Sequence, residues 1–389
     1  MFASALSAHP DARVAVGEVV GEVLEQLGAE PDLAVLFLTE AHLRAAHEIA
    51  ATVQTLLRPR VFVGASGSAI LGGTTGIEDS PGLVLWAGRL PGRITPFHLI
   101  AESDGDALRV SGLDHELAAA SSSMLLLADP FSFPVSEFLE GLALDRPGLS
   151  VIGGLASAAR GPGRNRLVVG GRLVTEGAVG VLLDAAASPA TVVSQGCRPI
   201  GQPFTVTRSD HNLIQELGGR PALERLLAII ESLSPDDRAL AAQGLHCGIV
   251  VNEHRLDFER GDFLIRAVLG ADRANGAVAV GEAVPVGTTI QFQVRDPATA
   301  GDDLATSLLG HPGDGALVFT CNGRGTFMFG DPHHDAQIVS DHLGRAPVAG
   351  MFCAGELGPV GSRNALHGFT ASVAMFTTRG SRLANEAEG

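Results

Sequence analysis

PVAGMFCAGELGPVG, residues Pro347–Gly361, runs from an apolar stretch of strand length into a loop that carries Gly355, Gly358 and Gly361 around one carboxylate, Glu356. Two other stretches have the same form. RVFVGASGSAILGG (Arg60–Gly73) and LSVIGGLASAARGPG (Leu149–Gly163) are also short apolar runs that break into glycine-rich loops. What flanks each loop is alike too. LAVLFLT (Leu33–Thr39) and the helically periodic EAHLRAAHEIAATVQTLL precede the first, and GLVLWAG (Gly82–Gly88) follows it. SMLLLAD (Ser123–Asp129) and PVSEFLEGLAL, with proline near its start, precede the second. The hairpin pattern of Leu167–Val169 and Arg172–Thr175 about Gly170-Gly171 follows, then the strand Ala178–Leu183. GALVFTCNGRG and the helix HHDAQIVSDHLG, closed by Gly344, precede the third, and HGFTASVAMF ends it. Apolar runs bounded by turn residues read as strands, and 3.6-residue periodicity reads as helix. The order strand, helix, strand, glycine loop, strand therefore occurs three times. It predicts a mixed α+β (α/β) protein of repeated units forming two mixed-sheet domains.

Between the second and third units the pattern changes. TVVSQ and PFTVTRS read as strands, and GGRPALERLLAIIESLSPDDRALAA reads as a helix with Pro221 in its first turn, then a short helix capped by Ser234. LHCGIVVNE, DFLIRAV, GAVAVGE and TTIQFQVRD read as an antiparallel series. The start of that helix is the expected junction. It gives an N-terminal extension over 1–30, a first domain over 31–220, a second over 221–378 and a flexible tail over 379–389.

Composition excludes several functions. The net charge of −16 argues against nucleic acid or an anionic membrane surface as the main partner. No run of about 18 apolar residues predicts a membrane helix, and the first residues lack the basic and apolar regions of a signal peptide. The expected location is cytoplasmic. The chain has neither Lys nor Tyr. Without lysine there is no P-loop, no Schiff base for pyridoxal phosphate and no kinase strand lysine. Cys197, Cys247, Cys321 and Cys353 are widely spaced, with no CxxC, and HExxH is absent. A structural metal site is not expected. Gly64-Ala65-Ser66-Gly67-Ser68 has the wrong frame for the nucleophile elbow of a serine hydrolase.

The candidate site residues lie in and around the loops. Gly64, Ser66, Ser68 and Ser157 offer backbone N–H groups and hydroxyls to a small polar ligand. Cys321, Asn322 and Arg324 follow the third unit's first strand. There a guanidinium can lower a thiol pKa. Glu356 and Arg363 could bind the amine and the carboxylate of an amino acid, or could pair with each other. Asn364, His367 and Thr370 supply an amide, a titratable ring and a hydroxyl. No metal is assigned. Three readings stay open: a ligand-binding sensor without catalysis, a thiol-dependent enzyme using Cys321 with His333, His334 or His367 as base, and a gas sensor holding a heme on one axial histidine.

GALVFTCNGRG, MFCAGELGPVGSRNALHGFTASVAMF and VFVGASGSAILGG resemble the FIST domain pair, a FIST-N domain followed by a FIST C-terminal domain, over about Pro31 to Phe376. The GE-x-G turn and the final H-x-F-T strand are the most specific part. The resemblance implies a sensory module that binds small molecules such as amino acids. Many members are fused to signalling domains, some resemble heme-based nitric oxide sensors, and eukaryotic relatives carry an F-box. Only about thirty residues precede the first strand here, too few for an F-box. The expectation is a stand-alone protein that passes its signal to a partner protein in trans, without cofactor.

Overall fold

The computed structural model describes residues 1–104, 107–255, 257–258 and 261–378. The segment 379–389, expected as a tail, lies outside the described residues. The protein is a mixed α+β protein, and its chain forms two compact units. The first joins Met1–Val193 to Leu304–Leu366 and residues 370–378. The second is Ser194–Asp303 with His367–Phe369. Compactness thus cuts the chain differently from the linear division at residue 220. The segment 194–220 folds with the second unit, and the described residues from Leu304, apart from three, fold with the first.

The first unit has three sheets. In each, two parallel strands lie side by side and an antiparallel strand flanks the first of them. These trios are Leu33–Leu38, Val61–Ser66 and Leu83–Gly88; Ser123–Ala128, Ser150–Leu155 and Ala178–Leu183; and Gly315–Cys321, Val348–Cys353 and Thr370–Phe376. The hairpin after each glycine loop does not return to its own sheet. Ala69–Gly72 with Thr75–Glu78 extends the third sheet, on Val348–Cys353. Leu167–Val169 with Arg172–Val174 extends the first, on Val61–Ser66. Glu356–Val360 with Arg363–His367 extends the second, on Ser150–Leu155. The exchange closes as a ring, so each sheet is completed by a hairpin from another part of the sequence. The Gly170-Gly171 turn has φ of 57° and 76°, the left-handed pair that a two-residue hairpin loop requires.

The inner faces of the three sheets share one core, which includes Phe37, Val63, Leu125, Ile152, Val179, Phe319, Met351 and Phe376. Phe37 meets Phe319 edge-on at 5.9 Å, and Trp86 packs between Phe2 and Phe376 at 5.2 and 5.1 Å. Strands buried on both faces are continuous apolar runs rather than alternating ones. Helices cover the outer faces. Ala12–Leu27, capped by Asp11, and Ala46–Leu56 cover the first sheet, Val135–Asp145 the second, and His334–His342, with Leu304 and Leu308 from the end of the helix Pro297–Leu308, the third. Residues 1–30, expected as an N-terminal extension, pack into the first unit. Phe2–Ser7 is a full edge strand on Leu83–Gly88, and Val16, Val19, Val20 and Val23 of the following helix are core residues. A stretch with that much apolar surface to bury folds into the domain.

The second unit is an eight-stranded sheet with the helices Ala222–Ser232 and Pro235–Gln243. Its core includes Val206, Leu217, Leu226, Cys247, Val278, Phe292 and Val294. Among the described residues no helix is long and apolar enough to cross a membrane.

Candidate functional site

Gly315–Cys321 and Val348–Cys353 run parallel in register and finish side by side, with Cys321 opposite Cys353. The carboxyl ends of parallel strands are where loops leave a sheet and sites form. Past Cys321 the chain turns: Asn322 N–H bonds the Cys353 carbonyl at 2.9 Å and Arg324 N–H bonds the Cys321 carbonyl at 2.9 Å. Gly325 has φ of 59°, and a Cβ there would lie 2.0 Å from Glu78 Oε1. That carboxylate instead accepts the Thr326 N–H at 2.9 Å. Only glycine fits, both for conformation and for space.

This turn sends the Arg324 side chain inward, where it is 1% exposed. Nε and Nη2 donate to Asp335 at 2.7 and 2.8 Å, a two-point bond matched to the carboxylate. Thr320 Oγ1 donates to Asp335 at 2.5 Å, and His334 Nδ1 lies 2.9 Å from its other oxygen. His334 stacks on Phe329 at 3.5 Å, and the guanidinium lies 5.1 Å from the same ring. Burial alone would raise the Asp335 pKa. The charge and bonds of Arg324 override it and hold this carboxyl far below the usual range. Arg324 keeps one buried nitrogen, Nη1, with no hydrogen-bond partner.

Glu356 is the second buried carboxyl, with no exposure. Thr370 N–H and Oγ1 donate to its Oε2 at 3.2 and 2.8 Å. Oε1 has no partner of normal geometry, and neither has the nearby strand's Ser372 Oγ. Burial pushes the Glu356 pKa up to about 8, against the bonds from Thr370, the charge of Arg324 and the Cys321 thiol. At neutral pH this group is mostly a carboxylic acid. Burial, then Glu356 and Cys321, push the Cys353 thiol well above its ordinary value.

Four expected residues therefore meet here: Cys321, Arg324, Glu356 and Thr370, with Asn322 exposed at the rim. Others do not. Arg363 is exposed and does not reach Glu356 as an ion-pair partner. Asn364 ties its hairpin to the second sheet, donating to Leu149 O at 2.7 Å and accepting from Val151 N–H at 2.8 Å. His367 is buried and belongs to the second unit. The loop residues are held by packing and by hydrogen bonds within the protein. Gly64 is there for packing, since a Cβ would lie 2.4 Å from Leu36 O. Ser66 Oγ accepts Arg166 N–H at 2.9 Å. Ser157 Oγ takes the Ser68 N–H at 2.8 Å and donates to Phe352 O at 2.5 Å, while Ser157 N–H bonds Ser66 O at 3.1 Å. The three glycine loops spend these groups on one another, because the exchanged hairpins start there and their backbones must be satisfied. The histidines weighed as thiol bases are also engaged: His333 Nδ1 accepts Gly76 N–H at 3.0 Å, and His334 pairs with Asp335.

Asp335, Cys353 and Thr320 were missed from sequence. Cys353 had a signal, since it holds the same strand-end place as Cys321. Asp335 had none until Arg324 was known to be buried, when a fixed cation demands an anion. Among the described residues no group of three His, Cys, Asp or Glu side chains is placed to hold a metal ion.

The FIST N domain model matches residues 32–220 and the FIST C domain model residues 222–359. The chain is similar to an uncharacterised protein of Mycobacterium tuberculosis, Rv0628c, at 45% identity over 378 residues, 95% of this chain and 98% of that one. It is similar also to an uncharacterised protein of Mycobacterium bovis, Mb0898c, at 45% identity over 374 residues, 94% of this chain and 96% of that one.

Proposed function

The chain belongs to the FIST family, whose domains are regarded as sensory domains of signal transduction, and from that membership we propose that it senses a small polar metabolite carrying an ammonium group, an amino acid or a close analogue. The observation that carries this reading is Glu356: a carboxyl wholly removed from water, fixed through one oxygen by Thr370, with its other oxygen uncommitted. An ammonium group brought to Oε1 stabilises the charged form and draws the acid into ionisation. Arg324 Nη1 takes the place first expected of Arg363 and meets the carboxylate of the ligand. Its guanidinium is already oriented by Asp335, so little freedom is lost on binding. The protein has no catalytic role in this reading. Binding orders the strand ends, and a partner protein reads the result.

The test is calorimetric. A thermal-shift screen of the twenty amino acids and simple amines selects a binder, since a ligand of the native state raises apparent stability. Titration at neutral pH in two buffers of different ionisation enthalpy then counts protons. Close to one proton is released per ligand as Glu356 ionises, and Glu356→Gln abolishes the release and weakens binding about ten- to a hundredfold. Binding without proton release, or with full affinity in Glu356→Gln, rejects the reading.

A further inference from the structure

We propose that Cys321 and Cys353 are a peroxide-reactive thiol pair that closes reversibly to a disulfide, with Glu356 relaying the proton. This goes beyond the ligand-binding reading and does not rest on it. The two residues are register partners at the ends of adjacent parallel strands, so their side chains leave the same face of the sheet. Neighbouring strands lie about 4.8 Å apart, within the roughly 4.4–6.8 Å that disulfides span between Cα atoms. Position 154 makes room for the second sulfur: a Cβ there would lie 2.3 Å from Cys353 Sγ. Cys321 is 6% exposed and Cys353 not at all, which sets the order of events. A small oxidant reaches Cys321 first, and Cys353 resolves.

A backbone N–H and a fixed cation lie beside the Cys321 sulfur. Gly323 N–H donates to its sulfur at 3.4 Å, and the charge of Arg324 acts on it. The Glu356 carboxyl lies against the thiol and has the uncommitted oxygen Oε1. In its ionised form Glu356 takes the Cys321 proton. The sulfur attacks one oxygen of hydrogen peroxide, the O–O bond breaks, and the departing hydroxide recovers the proton from Glu356 as water. Cys321 is then a sulfenic acid. The Cys353 sulfur attacks it, the S–O bond breaks, and the second water leaves with the Cys353 proton. Two thiols and one peroxide become one disulfide and two waters. The sulfurs lose two electrons and the peroxide gains two.

The other two cysteines are an internal control. Cys197 and Cys247 lie in the second unit, in two different apolar clusters, and burial pushes the Cys247 thiol up to about 12. The reduced full-length protein is treated with hydrogen peroxide, quenched, denatured and titrated for free thiols. The count falls from four to two, the mass drops by about 2 Da for the two hydrogens lost, dithiothreitol restores both, and peptide mapping joins Cys321 to Cys353. In Cys353→Ala the reaction stops at Cys321 sulfenic acid, trapped by dimedone. Glu356→Gln slows oxidation about a hundredfold, the usual scale for a lost proton relay. Four thiols surviving in the wild-type protein, or a bridge that includes Cys197 or Cys247, overturns the pair. An unchanged rate in Glu356→Gln overturns the relay.

Discussion

Asp335 and Glu356 are two carboxyls buried in the same corner of the first unit, and both feel the charge of Arg324, yet they hold opposite charge states. Asp335 receives two bonds from the guanidinium, one from Thr320 and one with His334. Glu356 has two bonds from Thr370, both on one oxygen, and only the weak donor of the Cys321 thiol beside it. Burial penalises both anions in the same way. What differs is how many donors remain to replace the lost water. A carboxylate with a full set of partners is structure, whereas one with a free oxygen is a group still able to change state.

The most severe way to break the comparison is Arg324→Met. It leaves Asp335 charged and buried without its cation, which costs about 3–5 kcal/mol. Urea unfolding at neutral pH measures the loss, and a loss below about 1 kcal/mol would show that Arg324 is held for something other than Asp335.

Glu356→Gln acts through pH. The folded protein holds the Glu356 proton up to about 8, against 4.5 for an ordinary glutamate. The stability this group adds is therefore fully present below about pH 4.5 and is lost as pH rises toward 8, at about 1.4 kcal/mol per pH unit while the unfolded chain is ionised and the folded one is not. Glutamine removes that slope. The variant's stability relative to wild type should rise steadily across the window and level off above it. A parallel pair of pH curves would mean that Glu356 is charged in the folded protein. Asp335 works on the other side. Its depressed pKa gives stability that is present above the ordinary carboxylate range and lost in acid, and Asp335→Asn should flatten only that limb.

The smallest effect sharpens the contrast further. Thr370→Val deletes the 2.8 Å hydroxyl bond to Glu356 and keeps the backbone one. It should cost about 1 kcal/mol at neutral pH. It should also move the Glu356 titration further up, because the lost bond favoured the charged form. Carbon-detected NMR titration of the side-chain carboxyl reads that shift directly, and a downward move would contradict the role given to Thr370.

Much of the fold was legible from the chain alone, and the misses have physical causes. The doubly buried strands declare themselves as apolar runs, and the Gly170-Gly171 hairpin declares itself through two residues that tolerate positive φ. The helix Pro297–Leu308 went unread because its buried stripe is only Ala300, Leu304 and Leu308 in an otherwise small and polar segment. The site was half legible. Cys321, Arg324, Glu356 and Thr370 could be named from strand ends and residue type. Arg363 was given the cation's role because it lies seven residues from Glu356 in the chain, whereas that hairpin edge leaves it in water.

The order of the elements, the places where strands give way to glycine loops, the absence of lysine chemistry and the stock of polar groups at the third loop are properties of the sequence, because periodicity, backbone freedom and residue type are local. The ring of exchanged hairpins, the inward turn of Arg324, the register of Cys321 with Cys353 and the charge on Glu356 belong to the tertiary structure. Each depends on which distant groups arrive beside a buried atom in place of water, and that is settled only when the three sheets close on one core.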